Sequence, residues 1–530
     1  MKKKLLCVIL SLSLIAAAFS ACSGPGGATS GASSGASSTA VSKTADDGKV
    51  HPCRIVQPGN LPKDYAKGIA AVNEKLKKDG VNIEVSVKRI PWDAYAEKLN
   101  LMLTSGESFE LLHVMQDVKN LSSIAGMGAI TDIDDLIKKY PDLEKKFTDL
   151  EWKGTLYQGK KYAVPCSWRT FDNVMAYMNY RSDVAKAVGY DKFPQTTDSV
   201  VDLMKKSQDY ILKETGKKAY TWFHQNQDTA HWLHRSYDTY PFYVENSLGI
   251  VLARQDGTID SFYESKEFKQ DADTYYKMYH MGLIDPDILN RDSQKKYNDA
   301  KFGAMLPSQT FDPAQGVTIK ENTKIDSTVD WVESFSEKNV PDMIYTYVQN
   351  LNAISSTSED PESGLKFLNW LYASKENHDL FHYGIKGVHY TQIGTNRMTQ
   401  KKDSNGNLLY SMDTWMTGYM PYMNYAQNVP DTYIDYMTYR SKNYVISPIA
   451  GFNFDSTNVK SELTNLQNEI IASIYPIKVG MVPYDKNIGP AIQKLKAAGL
   501  DKYLTEYRKQ FAQYLKDNPN VLADAKGTAK

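Results

Sequence analysis

The chain lacks most of the features that would assign it quickly. It carries no net charge, 62 basic side chains balancing 62 acidic ones over 530 residues, so no basic footprint points to nucleic acid. Cysteine is scarce, with four residues in all, which rules out a disulfide-built scaffold. The single long apolar run, Leu5 to Phe19, is shorter than the roughly 20 residues a membrane-spanning helix needs. No His-Glu-x-x-His pair, Gly-x-Ser-x-Gly elbow or Walker loop is present, which removes the short signatures of zinc, serine-nucleophile and nucleotide chemistry. What the chain does have is aromatic: 36 Tyr, 17 Phe and 8 Trp make up 12%. Rings fill cores by default, but an excess of Tyr and Trp also suits flat or hydroxyl-rich ligands. Hydrophobic content of 42% against 23% charged excludes wholesale disorder, and the length allows about three domains or two large interleaved ones.

The amino terminus reads as an address. Lys2, Lys3 and Lys4 precede the apolar run, as in an export signal. The sequence Phe19-Ser20-Ala21-Cys22 resembles the lipobox of bacterial lipoproteins, with Phe19 where Leu is usual. The resemblance implies a signal peptide over 1–21 and a lipid on Cys22 that anchors the chain to the outer face of the plasma membrane. Residues 22–48, rich in Gly, Ser, Ala and Thr, read as a flexible tether. Gly24-Pro25-Gly26-Gly27 follows no strand and opens no helix, so it is not a phosphate loop. An extracytoplasmic Cys53 and Cys166 could pair, or could be small buried thiols in apolar strands; the residues leave both open.

From Arg54 the pattern alternates strand and helix. Arg54-Ile55-Val56 reads as a strand ending at Pro58-Gly59; Tyr65, Ile69, Val72 and Leu76 form a helical stripe stopped at Gly80. Val81, Ile83, Val85 and Val87 alternate with polar residues as a half-buried strand. A helix from about Asp93 puts Tyr95, Leu99 and Met102 on one face, and Phe109 to Val114 reads as the next strand. This density of alternation predicts an α/β fold with a mostly parallel sheet.

Several stretches in this order resemble the extracellular solute-binding proteins of bacterial ABC importers: Leu101 to Glu107, Lys160 to Pro165, Met175 to Val184, and Phe302 to Met305. Phe367 to Tyr390 and Gly451 to Asp455 resemble the LipO-like branch, with its DUF3502-type carboxyl-terminal region. The resemblance implies an α/β, two-lobed periplasmic-binding-protein-like fold of type II, with discontinuous lobes joined by hinge strands. Residues 49–167 and 300–357 are expected in lobe 1, and 168–299 and 358–390 in lobe 2. The stretch 391–530 is expected as a helical region completing the lobes. Asp360-Pro361 reads as the capped start of a helix.

Ligands of such sheets sit beyond the carboxyl ends of strands. The residues there are Gln116 and Asp117; Trp168 and Arg169; Trp222, His224 and Trp232; Ser308 and Gln309; and, after a strand over Tyr345 to Val348, Asn350 and Asn352. Each also has a plainer reading: core for the Trp residues, a cap for Asp117, a hinge ion pair for Arg169, a turn for the Asn residues. Trp92 reads as packing at a helix entry. His378 and His382, and His231 and His234, lie one helical turn apart, a spacing that suits a metal only if a third ligand joins. No metal or cofactor is expected.

The expected function is capture of a solute between the lobes, an oligosaccharide first and a peptide second, and delivery to ABC permease subunits by a monomer. The rival from another class is a secreted, polysaccharide-active enzyme.

Overall fold

A computed structural model describes residues 48–525 except 117, 168–176, 222–230, 246–247, 290–305, 308–314, 334–339, 428, 430 and 439–443. Cys22 and nearly all of the expected tether lie outside the described residues. Among these residues no helix is long and apolar enough to cross a membrane.

The alternating segments near the amino terminus form the frame of the first lobe. Strand β1 (His51–Pro58), helix α1 (Tyr65–Lys78), β2 (Ile83–Ile90), α2 (Tyr95–Ser105) and β3 (Leu111–Met115) follow in order. In β2 the inward residues Ile83, Val85 and Val87 alternate with exposed Glu84, Ser86 and Lys88. The buried residues of α2 are Tyr95, Leu99 and Met102, the expected stripe, and Gly106 closes it in the left-handed region at φ 70°. Two further strands, β4 (Ala163–Pro165) and β5 (Asn350–Ile354), complete a sheet of order β2-β1-β3-β5-β4. β1 runs parallel to β2 and β3, and β5 runs antiparallel to β3 and β4.

Helix α3 (Pro361–Ala373) begins as its residues predict, Asp360 accepting the Glu362 N–H at 3.1 Å. Its place differs from expectation. Leu365, Phe367, Leu368 and Leu371, with Phe381 of α4 (Lys375–Tyr383), pack with Ile55, Val72 and Val85. Residues 358–390 therefore cover the first lobe's sheet instead of joining the second lobe. Gly364 permits the contact, since a Cβ there would fall 2.6 Å from Ile354.

The second core gathers Met178 to Leu306 with Ile449 to Phe511. Leu306 belongs to it, and the strand Val329–Glu333 pairs with Tyr177–Arg181, so the return to the first lobe comes near residue 346 and not 300. The carboxyl-terminal region also divides. Tyr410 and Met412 join the first core beside a small sheet of Tyr390–Ile393, Arg397–Gln400 and Tyr425–Ala426, so this part mixes strands with the short helix Thr414–Thr417. The helices Lys460–Glu469, Tyr484–Ala498 and Leu500–Asp517 complete the second.

The chain passes between the cores three times, after Cys166, before Asn350 and before Ile449. The last two crossings run side by side, Asp342–Ile344 pairing in parallel with Tyr444–Ile446. Arg235 holds this hinge by donating to the Asp342 carboxylate and, at 3.0 Å, to the Val340 carbonyl. The Tyr240 hydroxyl donates to the Pro341 carbonyl at 3.0 Å.

Candidate functional site

The carboxyl edge of the first-lobe sheet is the natural place for a ligand, and here the first two crossings between the cores meet it. β4 ends there and leads into the first crossing; β5 begins there after the second. Along this edge lies the segment 412–420, whose Ser167–Tyr419 bridge and Met420 N–H to Ser167 carbonyl bond fix it to the end of β4.

Two indoles meet at this edge. Trp92 follows β2 directly and is 54% exposed. Its ring stacks on Trp415, with centroids 5.9 Å apart and planes 25° apart. Beneath them, buried His113 meets the Trp415 ring edge-on at 5.1 Å, and Tyr95 tilts against Trp92 at 5.9 Å. Beside the pair, the buried Arg89 side chain donates to the Pro58 carbonyl at 2.7 Å and to half-exposed Asp413 at 2.9 Å. Gly59, at φ +99°, keeps this corner open, because a Cβ would sit 3.2 Å from the Arg89 guanidinium. The result is an apolar face of two rings with an accessible carboxylate beside it. Such a surface can stack the CH-rich face of a sugar ring and accept its hydroxyl protons.

The expected site residues fare unevenly. Asp117, Trp168, Arg169, Trp222, His224, Ser308 and Gln309 lie outside the described residues. Gln116 stands at the edge, but its amide is committed: Oε1 accepts the Leu121 N–H at 3.0 Å and Nε2 donates to the Gly154 carbonyl at 3.4 Å. Asn350 and Asn352 are not loop residues after a strand; they are buried inside β5 itself. Asn352 faces inward and donates to the Met416 carbonyl at 3.0 Å. Trp232 is core, 3% exposed, its indole N–H donating to the Tyr275 hydroxyl at 3.0 Å. Trp92, Trp415, Arg89 and Asp413 were not singled out as ligand contacts. The signal for Trp92 was its position just past a strand, the same rule that nominated Gln116.

The histidine pairs are structural. His378 and His382 are fully buried. The His378 Nε2 accepts the Tyr419 N–H at 3.2 Å, and the His382 ring lies 2.6 Å from the Met412 carbonyl and 3.2 Å from that of Thr417. His234 is buried against Asp271 at 2.9 Å. Among the described residues no group of three or more His, Cys, Asp or Glu side chains is arranged to hold a metal. Cys53 and Cys166 are both buried and not joined in a disulfide.

Burial holds three of these imidazoles neutral. It lowers the His113 pKa to about 3, lowers that of His378, and takes that of His382 well down, with His378 adding to the effect. In the unfolded chain each titrates near 6.5, so unfolding takes up protons below that pH. Stability is complete above about pH 6.5 and declines as pH falls toward the folded values, by roughly 1.4 kcal/mol per pH unit for each such residue. Thermal melts between pH 7 and 5 check this, and His382→Gln should flatten the slope by about one proton. Equal stability at pH 7 and 5 would contradict it.

Two α/β cores, three crossings and an aromatic edge beside the first two of them are the parts of a two-lobed binding protein. The chain belongs to the bacterial extracellular solute-binding protein family, whose model matches residues 59–378; a domain of unknown function, DUF3502, matches 448–516. It is similar to a carbohydrate ABC transporter substrate-binding protein of Streptococcus pneumoniae, with 26% identity over 90% of this chain and 93% of that one. It is also similar to lipoprotein LipO of Bacillus subtilis, with 23% identity over 66% of this chain and 68% of that one. In structure it resembles the N-glycan transport solute binding protein of Streptococcus pneumoniae, at a TM-score of 0.66 and 22% identity, covering 88% of this chain and 100% of that one. An HMO binding, ABC-transporter associated solute binding protein from Bifidobacterium longum infantis matches at a TM-score of 0.62 and 15% identity, over 88% and 99%. These likenesses bear out the α/β two-lobed fold and the family expected from the sequence.

Proposed function

We propose that the protein captures an oligosaccharide between its lobes and hands it, chemically unchanged, to an ABC permease. The observation that carries this reading is the stacked pair of exposed Trp92 and half-buried Trp415 at the carboxyl edge of the first lobe. The S. pneumoniae relative is named for carbohydrate, and the N-glycan transport neighbour has been solved with Man5GlcNAc; both support a sugar. A ligand that touches both lobes favours the closed arrangement, because only such a ligand has differential affinity for it. The Arg235–Asp342 hinge and the paired crossings would carry that rotation. A lipid on Cys22 would hold the monomer at the outer face of the plasma membrane, with the following Gly- and Ser-rich residues as its tether. No covalent step is required of any residue.

Thermal unfolding against an oligosaccharide library, with analysis of the recovered sugars, tests the reading. A ligand at 100 times its Kd adds about 2.7 kcal/mol of stability, and the sugar should be recovered intact. Turnover abolished by changing one carboxylate would make the protein an enzyme instead. A shift with peptides alone would replace the ligand class. Trp168→Ala is expected to weaken binding by about 1 kcal/mol with the fold intact; unchanged affinity with a collapsed melting point would place Trp168 in the core.

A further inference from the structure

The inner face of the first-lobe sheet changes character one row before its carboxyl edge. Val87, Ile55, Leu111 and Ile354 lie side by side in register and are buried and apolar. Two residues further on, the same face carries Arg89, Gln57, His113 and Asn352. Gln57, His113 and Asn352 are 1%, 0% and 0% exposed, and the Arg89 side chain is 2% exposed. Buried polar side chains destabilise a sheet face unless they find partners, so a whole polar row calls for an explanation. The segment that bears Trp415 partners two of the four, Arg89 and Asn352, while the Gln57 amide and both ring nitrogens of His113 find no hydrogen-bond partner among the described residues. Arg89 binds Asp413, two residues before the indole. The Cys166 thiol donates to the carbonyl of Trp415 itself at 3.3 Å. Asn352 donates to the carbonyl of Met416 at 3.0 Å. His113 supports the ring from below. The carbonyls of Trp415 and Met416 are thus held by the end of β4 and by β5.

We propose that Asn352 and Cys166 are positioning residues that hold the Trp415 indole in its stack on Trp92, so that the ligand platform is shaped from the buried row and the end of β4 and not by the surface loop alone. The inference deepens the oligosaccharide reading and rests on it for its effect on affinity. Neither side chain touches the ligand. Removing either donor weakens the hold on one carbonyl beside Trp415 and loosens the stack of the two rings without emptying the core. A donor to a buried carbonyl confers orientation as well as energy, and a stacking surface loses more from misorientation than an apolar contact does.

Two close indoles in a fixed, skewed stack, here 5.9 Å apart with planes 25° apart, give a coupled pair of bands in far-ultraviolet circular dichroism that falls as the rings separate, and this signal needs no ligand. Trp92→Phe in the full mature chain identifies the couplet by difference. Asn352→Leu and Cys166→Ala should each reduce that couplet by half or more and raise the Kd for the probe, a Man5GlcNAc oligosaccharide, about fivefold or more. Cys166→Ala, the milder change, should still melt cooperatively within a few degrees of the native protein, and it decides the matter if Asn352→Leu does not fold. A folded variant of either kind with an undiminished couplet would overturn the inference, as would a lowered melting temperature accompanied by native couplet and native Kd. If the native protein binds no sugar at all, the oligosaccharide reading falls, while the couplet still tests the anchoring of Trp415 by itself.

Discussion

Trp92→Ala is expected to weaken oligosaccharide binding tenfold or more, a loss of at least about 1.4 kcal/mol, with little change in melting temperature. The reason lies in what the side chain touches. More than half exposed, Trp92 contributes modestly to the core, yet its face is presented at the carboxyl edge of the first-lobe sheet. Removing it takes away a stacking surface and also frees the Trp415 ring from its partner. Ring stacking contributes about 0.5–1.5 kcal/mol beyond the area it buries, and truncation adds the area term. Trp415→Ala should behave differently: its ring packs on buried His113, so affinity and melting temperature should fall together. Calorimetric titration beside thermal melts separates the two cases. Native affinity in Trp92→Ala would remove the platform from the binding site.

Breaking the hinge pair should produce the largest stability change. Arg235 and Asp342 have side chains 10% and 5% exposed, and removing one partner strands a desolvated charge. Such losses run to about 3–5 kcal/mol, whereas replacing both partners by apolar groups can be nearly neutral. Arg235→Met and Asp342→Leu should therefore each lower the melting temperature by about 3–5 °C, from the scaling of unfolding entropy with size, and the double variant should recover much of the loss. The second and third crossings lie against each other through Asp342–Ile344 and Tyr444–Ile446, so the single variants should also loosen the relation between the lobes. Additive losses in the double variant would show that the pair does not act as a unit.

Local pattern told most about the first lobe. The period-two run from Ile83 and the Tyr95, Leu99, Met102 stripe specify strand and helix because one face of each is buried. The same logic stops short of naming what covers that face. Helix α3 shows its apolar stripe plainly, but only the close approach at Gly364 shows that it lies on Ile354 of the first sheet. Asn350 and Asn352 looked like turn residues because polar groups at alternate positions rarely fill a central strand; here that strand faces a polar row and a docked segment. Trp232 found a hydroxyl on Tyr275, far along the chain, and that pairing keeps an indole in the core. His378 and His382 share a helix face, but their partners are carbonyl and amide groups of residues 412–419. Trp92 is legible by position, just past the strand Ile83–Ile90, although its place at a helix entry reads equally as packing. Trp415 sits in a stretch without period, and nothing local to it announces the stack.

Native mass spectrometry of the purified mature protein with a panel of oligosaccharides tests the central claim most directly. The account predicts a one-to-one complex with at least one sugar, and release of that sugar at its original mass after prolonged incubation. Complexes with none of the panel, or release of shorter sugars, would contradict it.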